Sequence, residues 1–200
     1  MIELRKTALF VQWLDGLRDL KARARVQARV ERLLAGNPGD VEPVGEGVSE
    51  LRIDYGPGYR VYFKKRGHEL IILLAGGDKT TQTKDIKVAL RLARNLFGVN
   101  TMGKTVTTRY DVAEHLRTPQ EMAAYLEACL EEADGDAAFV AKALGDIARA
   151  KGMSQVARDA GLSRESLYKA LSGERSPGFD TILKVIGALG LKLHAEANQT

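Results

Sequence analysis

Between Leu51 and Phe63 apolar and polar residues alternate with a period of two, an apolar run over Leu70 to Ala75 follows, and no other stretch constrains the fold as tightly. Leu51, Ile53 and Tyr55 fall on one face of a strand, as do Tyr59, Val61 and Phe63 in the next, because successive strand side chains point to opposite sides. Gly56-Pro57-Gly58 reads as the turn between them, Arg66-Gly67 as a second turn, and Leu70 to Ala75 is too apolar for an edge, so it is expected as a central strand. A three-residue turn would set Asp54 opposite Arg60 and Arg52 opposite Tyr62, on the face away from the core. An antiparallel sheet can leave such a face in water. The face then carries Arg52, Arg60, Tyr62 and Lys64, and Lys79 and Lys84 follow the last strand.

The flanks of this run read as helices. Ile2 and Leu4 alternate like a short strand; Phe10, Trp13, Leu14 and Leu17 then fall at helical spacing, with Thr7 as N-cap. Asp19 to Ala35 is expected as a second helix, its stripe made by Leu20, Val26, Val30, Leu33 and Leu34 and ended by Gly36 to Gly39. Arg18, Lys21, Arg23, Arg25, Arg29 and Arg32 surround that stripe and read as its solvated face. After a polar segment from Asp78, a further helix is expected from about Asp85 to Phe97, with Ile86, Leu90, Ala93 and Phe97 inward.

Charge divides the chain. Residues 1 to 100 hold 18 basic against 12 acidic residues, and residues 101 to 200 hold 12 against 14. From Asp111 to Asp136, eight acidic residues face only Arg117. With 200 residues, a 44% hydrophobic content and this reversal, two domains are expected, and opposite charge lets them attract one another. Cys129 stands alone, so no disulfide framework is expected, and no Cys/His spacing suggests zinc or another cofactor. Neither a leader nor a run of roughly 20 apolar residues is evident, which reads as a cytoplasmic protein without membrane contact.

Two guanidiniums, a phenol and a lysine converging on one sheet suit a phosphodiester, since cations hold the phosphate and stabilise charge on its oxygens during in-line attack. Cleavage of RNA by its own 2′-hydroxyl requires proton transfer but no metal. His68, the one histidine of the first half, sits beside a turn without a recognisable partner and reads as structural. The stretch GNPGDVEPVGEGVSELRIDYGPGYRVYF, followed by LLAGGDKTTQTKDI, resembles the phage-derived, HigB-type branch of the RelE/ParE superfamily of toxins over about Phe10 to Leu92. The resemblance implies two N-terminal helices packed on an antiparallel sheet, and cleavage of mRNA on the translating ribosome. Arg60 matches the superfamily's central-strand arginine, Lys79 a basic residue after the last strand, and Arg52 a basic residue on the preceding strand; Tyr62 joins them as a catalytic candidate, with Lys64 and Lys84 as RNA contacts. The tyrosine that the resemblance implies on the C-terminal segment after the last strand is missing, with Lys84 and Asp85 near its place, which leaves the general base open. The same resemblance leaves two other roles open, gyrase inhibition as in the ParE branch and a catalytically silent corepressor.

Residues 98 to 108 show no periodicity and read as a linker or junction, within which Met102 reads as an initiator. Arg109 to Leu116 is expected as a short helix. Thr118, Pro119 and Glu121 form a capping box that opens a helix to about Glu132, with Met122, Tyr125, Leu126 and Cys129 or Leu130 inward. Cys129 reads as packing. Asp136 caps a helix over Ala137 to Lys151, stopped by Gly152. A helix-turn-helix pattern follows, with a helix from Ser154 to Ala160, Gly161 in the turn and Ser163 as N-cap of a helix anchored by Leu167 and Leu171. Ser163, Arg164, Ser166, Tyr168 and Lys169 are then placed to meet DNA, with Gln155 and Arg175 toward phosphate.

Residues Ala137 to Leu193, and GLSRESLYKALSGE in particular, resemble the lambda-repressor-like domain of HigA-type antitoxins in their addiction-module antidote branch. That implies operator binding as a dimer through this half, and neutralisation of a cognate toxin within or between chains. The expected fold is α+β: a RelE/ParE-like domain over 1 to 97, a junction over 98 to 108, and an all-α helix-turn-helix domain over 109 to 200.

Overall fold

A computed structural model describes residues 2–96, 104–174 and 176–195. Phe97, residues 98–103 of the expected junction, Met102 among them, and Arg175 lie outside the described residues. The chain forms two compact units, Met1–Asp111 and Val112–Thr200.

The first unit is a six-stranded sheet with helices on both faces. Its strands are β1 (Glu3–Thr7), β2 (Val41–Gly45), β3 (Val48–Ile53), β4 (Tyr59–Arg66), β5 (Leu70–Asp78) and β6 (Thr107–Arg109), in spatial order β2-β3-β4-β5-β1-β6. The expected meander is present with β5 internal, but β1 pairs with β5 in parallel, so the sheet is mixed. Helices α1 (Ala8–Gly16) and α2 (Leu20–Leu34) start where local chemistry sets them. The Thr7 hydroxyl accepts from the Phe10 amide at 3.1 Å, and the Asp19 carboxylate from the Lys21 and Ala22 amides. Phe10, Leu14, Val26, Val30 and Leu33 are buried, whereas Leu20 is exposed. Two of the arginines around the α2 stripe fasten loops: Arg23 donates to the Leu17 carbonyl and Arg29 to that of Pro38.

Helix α3 (Gln82–Asn95) begins three residues before its expected start and changes the reading of the sheet. It packs on β3, β4 and β5. Ala89, Ala93 and Leu96 bury Val48, Tyr62, Ile72, Leu74 and Ala75. The face expected to meet water is therefore largely a second core. Tyr62 is fully buried in it, which corrects its placement on an open catalytic face. The apolar stripe of this helix shows that it buries something, but not what.

Pairing also differs from the expectation. Asp54 to Gly58 form a five-residue connection, so Arg52 pairs with Arg60 and Glu50 with Tyr62. Asp54, expected opposite Arg60, lies in the connection and is exposed. On the other side of β4, register shifts between Tyr62 and Phe63: these pair with Ala75 and Leu73, leaving Leu74 as an extra residue on β5. Such a bulge reverses the facing of everything beyond it. Leu74 and Ala75 thus both join the α3 core. At Gly76 a Cβ would lie 2.0 Å from the Trp13 ring, and at Gly77 one would strike the Asp85 carboxylate. Two adjacent glycines let α1 approach one face and the start of α3 the other.

The second unit is all-helical: a 3-10 turn (Val112–His115), α4 (Pro119–Glu132), α5 (Ala137–Lys151), α6 (Met153–Asp159), α7 (Arg164–Ala170) and α8 (Phe179–Ala188). The capping box forms, with the Thr118 hydroxyl accepting from the Glu121 amide and the Glu121 carboxylate from the Thr118 amide. Asp136 caps α5 and Ser163 caps α7. Tyr125, Cys129, Leu144, Ile147, Val156, Leu167 and Val185 are fully buried. Asp146 is buried on α5, where it accepts from the Tyr125 hydroxyl of α4 at 3.0 Å and from Arg149 at 2.6 Å, and Lys142 lies 3.3 Å away. This polar tie is needed because a buried carboxylate without partners would be costly.

Candidate functional site

In the first unit, the polar cluster gathers where β3, β4 and the end of β5 meet the start of α3, and its centre is Glu50. That side chain is fully buried, yet it is an acid on a strand otherwise read for its cations. Arg52 Nε donates to Glu50 Oε1 at 2.9 Å, and Gln82 Nε2 reaches both carboxylate oxygens at 3.1 and 2.9 Å. Arg60 Nε lies 3.3 Å from Oε1, and Arg60 Nη1 donates to the Gly58 carbonyl at 2.6 Å. Burial alone would raise the Glu50 carboxyl, but the bonds from Arg52 and Gln82 and the charge of Arg60 hold it below the usual carboxylate range. Burial, then the charge of Glu50, pushes the Tyr62 phenol well above its ordinary value. Tyr62 therefore stays protonated through neutral pH.

The cations differ in what they offer to a ligand. Arg60 is 12% exposed and held from both sides, whereas Arg52 is 36% exposed, with Asp40 and Glu42 each at 3.8 Å. Lys79 is exposed, and its Cβ lies 3.7 Å from the position a Gly58 Cβ would take, on the same loop that receives Arg60. Asp85, bound to the Thr81 hydroxyl, sits over Gly77, the register partner of Arg60. Arg52, Arg60 and Lys79 are thus brought to one end of the sheet. Lys64 is not: it reaches the Glu46 carbonyl at 3.0 Å, at the β2–β3 turn. Lys84 is exposed on the first turn of α3. Glu50, Gln82 and Asp85 were missed as members. The acid three residues before a strand's end carries no local signal, and only the long-range pairing of Glu50 with Tyr62 and the return of α3 reveal it.

In the second unit, α6 and α7 are joined through Gly161 at φ +66°, and the Leu162 amide donates back to Ala157. Ser163, Arg164, Ser166, Tyr168 and Lys169 are all exposed, as expected. Ser163 and Ser166 are also bonded to each other, and Arg164 lies over the Tyr168 ring at 5.5 Å. An open groove of about 460 Å³ is lined by Arg149, Ser154, Gln155, Arg158, Arg164 and Tyr168. Gln155 accepts from Arg158 and donates to Asp159, so it orients a guanidinium at the groove. Arg149, Ser154 and Arg158 line the groove as well and were not among the residues expected to meet DNA.

Residues 106–197 match the family model described as "Probable addiction module antidote protein". The second half is thus similar to that antidote family. Two proteins of Haemophilus influenzae, each described as "Uncharacterized protein", are also similar to the chain. One is 52% identical over 95 residues, which is 48% of this chain and 96% of the relative. The other is 50% identical over 90 residues, 45% of this chain and 91% of the relative. No solved structure matches. The antidote family match begins at residue 106, whereas the second unit begins at Val112. Among the described residues no helix is long and apolar enough to cross a membrane.

Proposed function

We propose that the chain is a toxin–antitoxin module in one polypeptide, in which an mRNA endoribonuclease of RelE/ParE type precedes its own antidote. The observation that carries the reading is the antidote match over residues 106–197, directly after a separate α+β unit that gathers Arg52, Arg60 and Lys79 at one end of its sheet. An antidote needs something to neutralise, and that cluster has the chemistry to hold a phosphodiester. Lys79 and Arg52 are the accessible cations and would hold the scissile phosphate, with Arg60 behind them stabilising charge on its oxygens. Glu50 would orient both guanidiniums and stay ionised, which suits a positioning role better than a proton carrier. Ribosome and mRNA are the partners proposed for this unit, in the cytoplasm.

For the antidote half we propose that α6, the Gly161 turn and α7 act as a helix-turn-helix on operator DNA. Arg164, Ser166, Tyr168 and Lys169 would enter the major groove and Arg149, Gln155 and Arg158 would meet phosphate. The exposed Phe179 and Leu183 of α8 supply an apolar face for the dimer that an operator-binding repressor of net acidic charge requires. One observation favours a second reading, the corepressor without catalysis: Glu50, Asp85, Asp40 and Glu42 outnumber Arg52, Arg60 and Lys79, leaving the cluster no net positive charge.

Induced expression of residues 1–97 separates the readings. The ribonuclease reading expects translation arrest with mRNA cut on ribosomes, abolished by Arg60→Ala. Cleavage that persists in the Arg60→Ala, Lys79→Ala double variant would place the chemistry elsewhere; absence of arrest would favour the corepressor, and DNA damage signalling without mRNA cleavage a gyrase poison.

A further inference from the structure

The antidote family match starts at residue 106, six residues before the second compact unit, and those six residues belong by their contacts to the first unit. β6 is the outermost strand of the first unit's sheet, pairing antiparallel with β1 through Thr107 with Thr7, Thr108 with Lys6 and Arg109 with Arg5. We propose that residues 105–110 are the antidote's docking strand: a segment that from residue 106 onward belongs by sequence to the antidote match and binds the first unit by completing its sheet along β1. The occupant of that sheet edge is thus the antidote's own leading segment, in this chain joined covalently to its partner. The proposal rests on the toxin–antitoxin reading for its biological sense, but not for its geometry.

Thr105, Thr107 and Tyr110 fasten the segment by bonds to the first unit. The Thr105 amide donates to the Asn95 carbonyl at 3.0 Å, and its hydroxyl to that of Leu92 at 2.9 Å, both at the last turn of α3. Arg5 clamps Thr107 twice, Nε to the hydroxyl at 2.8 Å and Nη2 to the carbonyl at 2.6 Å. The Tyr110 amide donates to the Leu4 carbonyl at 2.8 Å. Since paired bonds recur every second residue in an antiparallel ladder, the Thr108 amide faces the Lys6 carbonyl. Tyr110 is the anchor: 4% exposed, it packs edge-on against Phe10 at 6.2 Å, with Lys6 Nζ 5.4 Å from its ring. Val106, 75% exposed, points away. A strand whose backbone supplies affinity while one aromatic fills a pocket is the usual form of recognition by strand addition. It also explains how β1, whose open side would otherwise be an unprotected sheet edge, is kept from pairing with other chains. Part of the expected linker is therefore a strand, and the linker reading missed it because Thr105 to Arg109 is short and polar, like any edge strand of that length.

The test uses the full chain with a specific protease site inserted between residues 100 and 101, cut after folding. The two fragments are expected to remain together on size-exclusion chromatography at micromolar concentration. A synthetic peptide of residues 104–111 should release the first fragment from the second. Tyr110→Ala should weaken fragment association at least tenfold, and Thr108→Pro, which removes the inward amide, should do the same. Circular dichroism of the uncut variants reports that both units are folded; should the proline variant fail that check, Arg5→Ala, which removes the Thr107 clamp along with an exposed pair to Glu3, takes its place. Separation of the wild-type fragments on cutting overturns the proposal, as does association unchanged by Tyr110→Ala. Translation arrest is not read in this experiment, so a first unit without nuclease activity leaves its outcome intact.

Discussion

At the scale of single residues, Glu50 decides how the candidate site is read. Period-two alternation put Arg52 and Arg60 on one face correctly, and the family string pointed to Arg60. Turn length could not be read from Gly56-Pro57-Gly58, so the acid assigned to Arg60 was Asp54, whereas the five-residue connection makes it Glu50. Glu50→Gln keeps the shape and removes the charge that Arg52 and Arg60 face. We expect a loss of about 2 kcal/mol at pH 7, the order found when a charged hydrogen-bond partner is withdrawn. The sign with pH follows from the lowered carboxyl. Its stabilisation is complete above the unfolded value of about 4.3 and is lost as pH falls through the folded one. Urea unfolding at pH 7 and pH 3 checks this: the gap between wild type and variant should narrow at pH 3, and a gap that widens there would mean Glu50 is not the ionised centre of the cluster.

At the scale of elements, what was legible is what is encoded within a few residues. Thr7, Thr118, Asp136 and Ser163 each cap the helix they were expected to cap, because the N-cap bond closes within three residues of chain, and Asp19, expected as the first residue of its helix, proves to be its cap. Thr118→Ala removes one arm of the capping box on α4, and a loss of about 1 kcal/mol in thermal or denaturant unfolding is expected. A Thr118→Ser variant should recover most of it, which a merely steric effect of the methyl group would not allow. Elements defined by distant partners were not legible. β2 carries Pro43 and Gly45, both poor strand formers, and exists because β3 pairs with it. The bulge at Leu74 follows from β4 and β5 together, and the burial of Tyr62 depends on α3 returning over the sheet. Arg52, Arg60 and Lys79 converge through those same long-range steps, so sequence could nominate them singly without fixing what else would join them.

At the scale of the whole molecule, the boundary that matters is the one between folding units, and it lies after Asp111, not at the compositional junction. Trp13 is the chain's single tryptophan and contacts Gly76 in the first unit, so its fluorescence reports that unit alone, whereas most of the helical signal in circular dichroism also reports α4 to α8. Two units with separate cores need not unfold together. We expect denaturant curves by the two probes to differ in midpoint. Tyr110→Ala, which empties the space beside Phe10, should lower the fluorescence midpoint by the equivalent of about 3 kcal/mol and leave the other transition in place. Asp146→Ala should do the reverse, since it unties α4 from α5 and leaves the buried Tyr125 hydroxyl without its acceptor, a loss of about 2 kcal/mol confined to the helical transition. If both substitutions moved both transitions equally, the two units would fold as one cooperative block and residues 105–110 would be ordinary interior structure. If Tyr110→Ala moves only the Trp13 transition, residues 105–110 draw their stability from the sheet they complete, which is what the proposed docking segment requires.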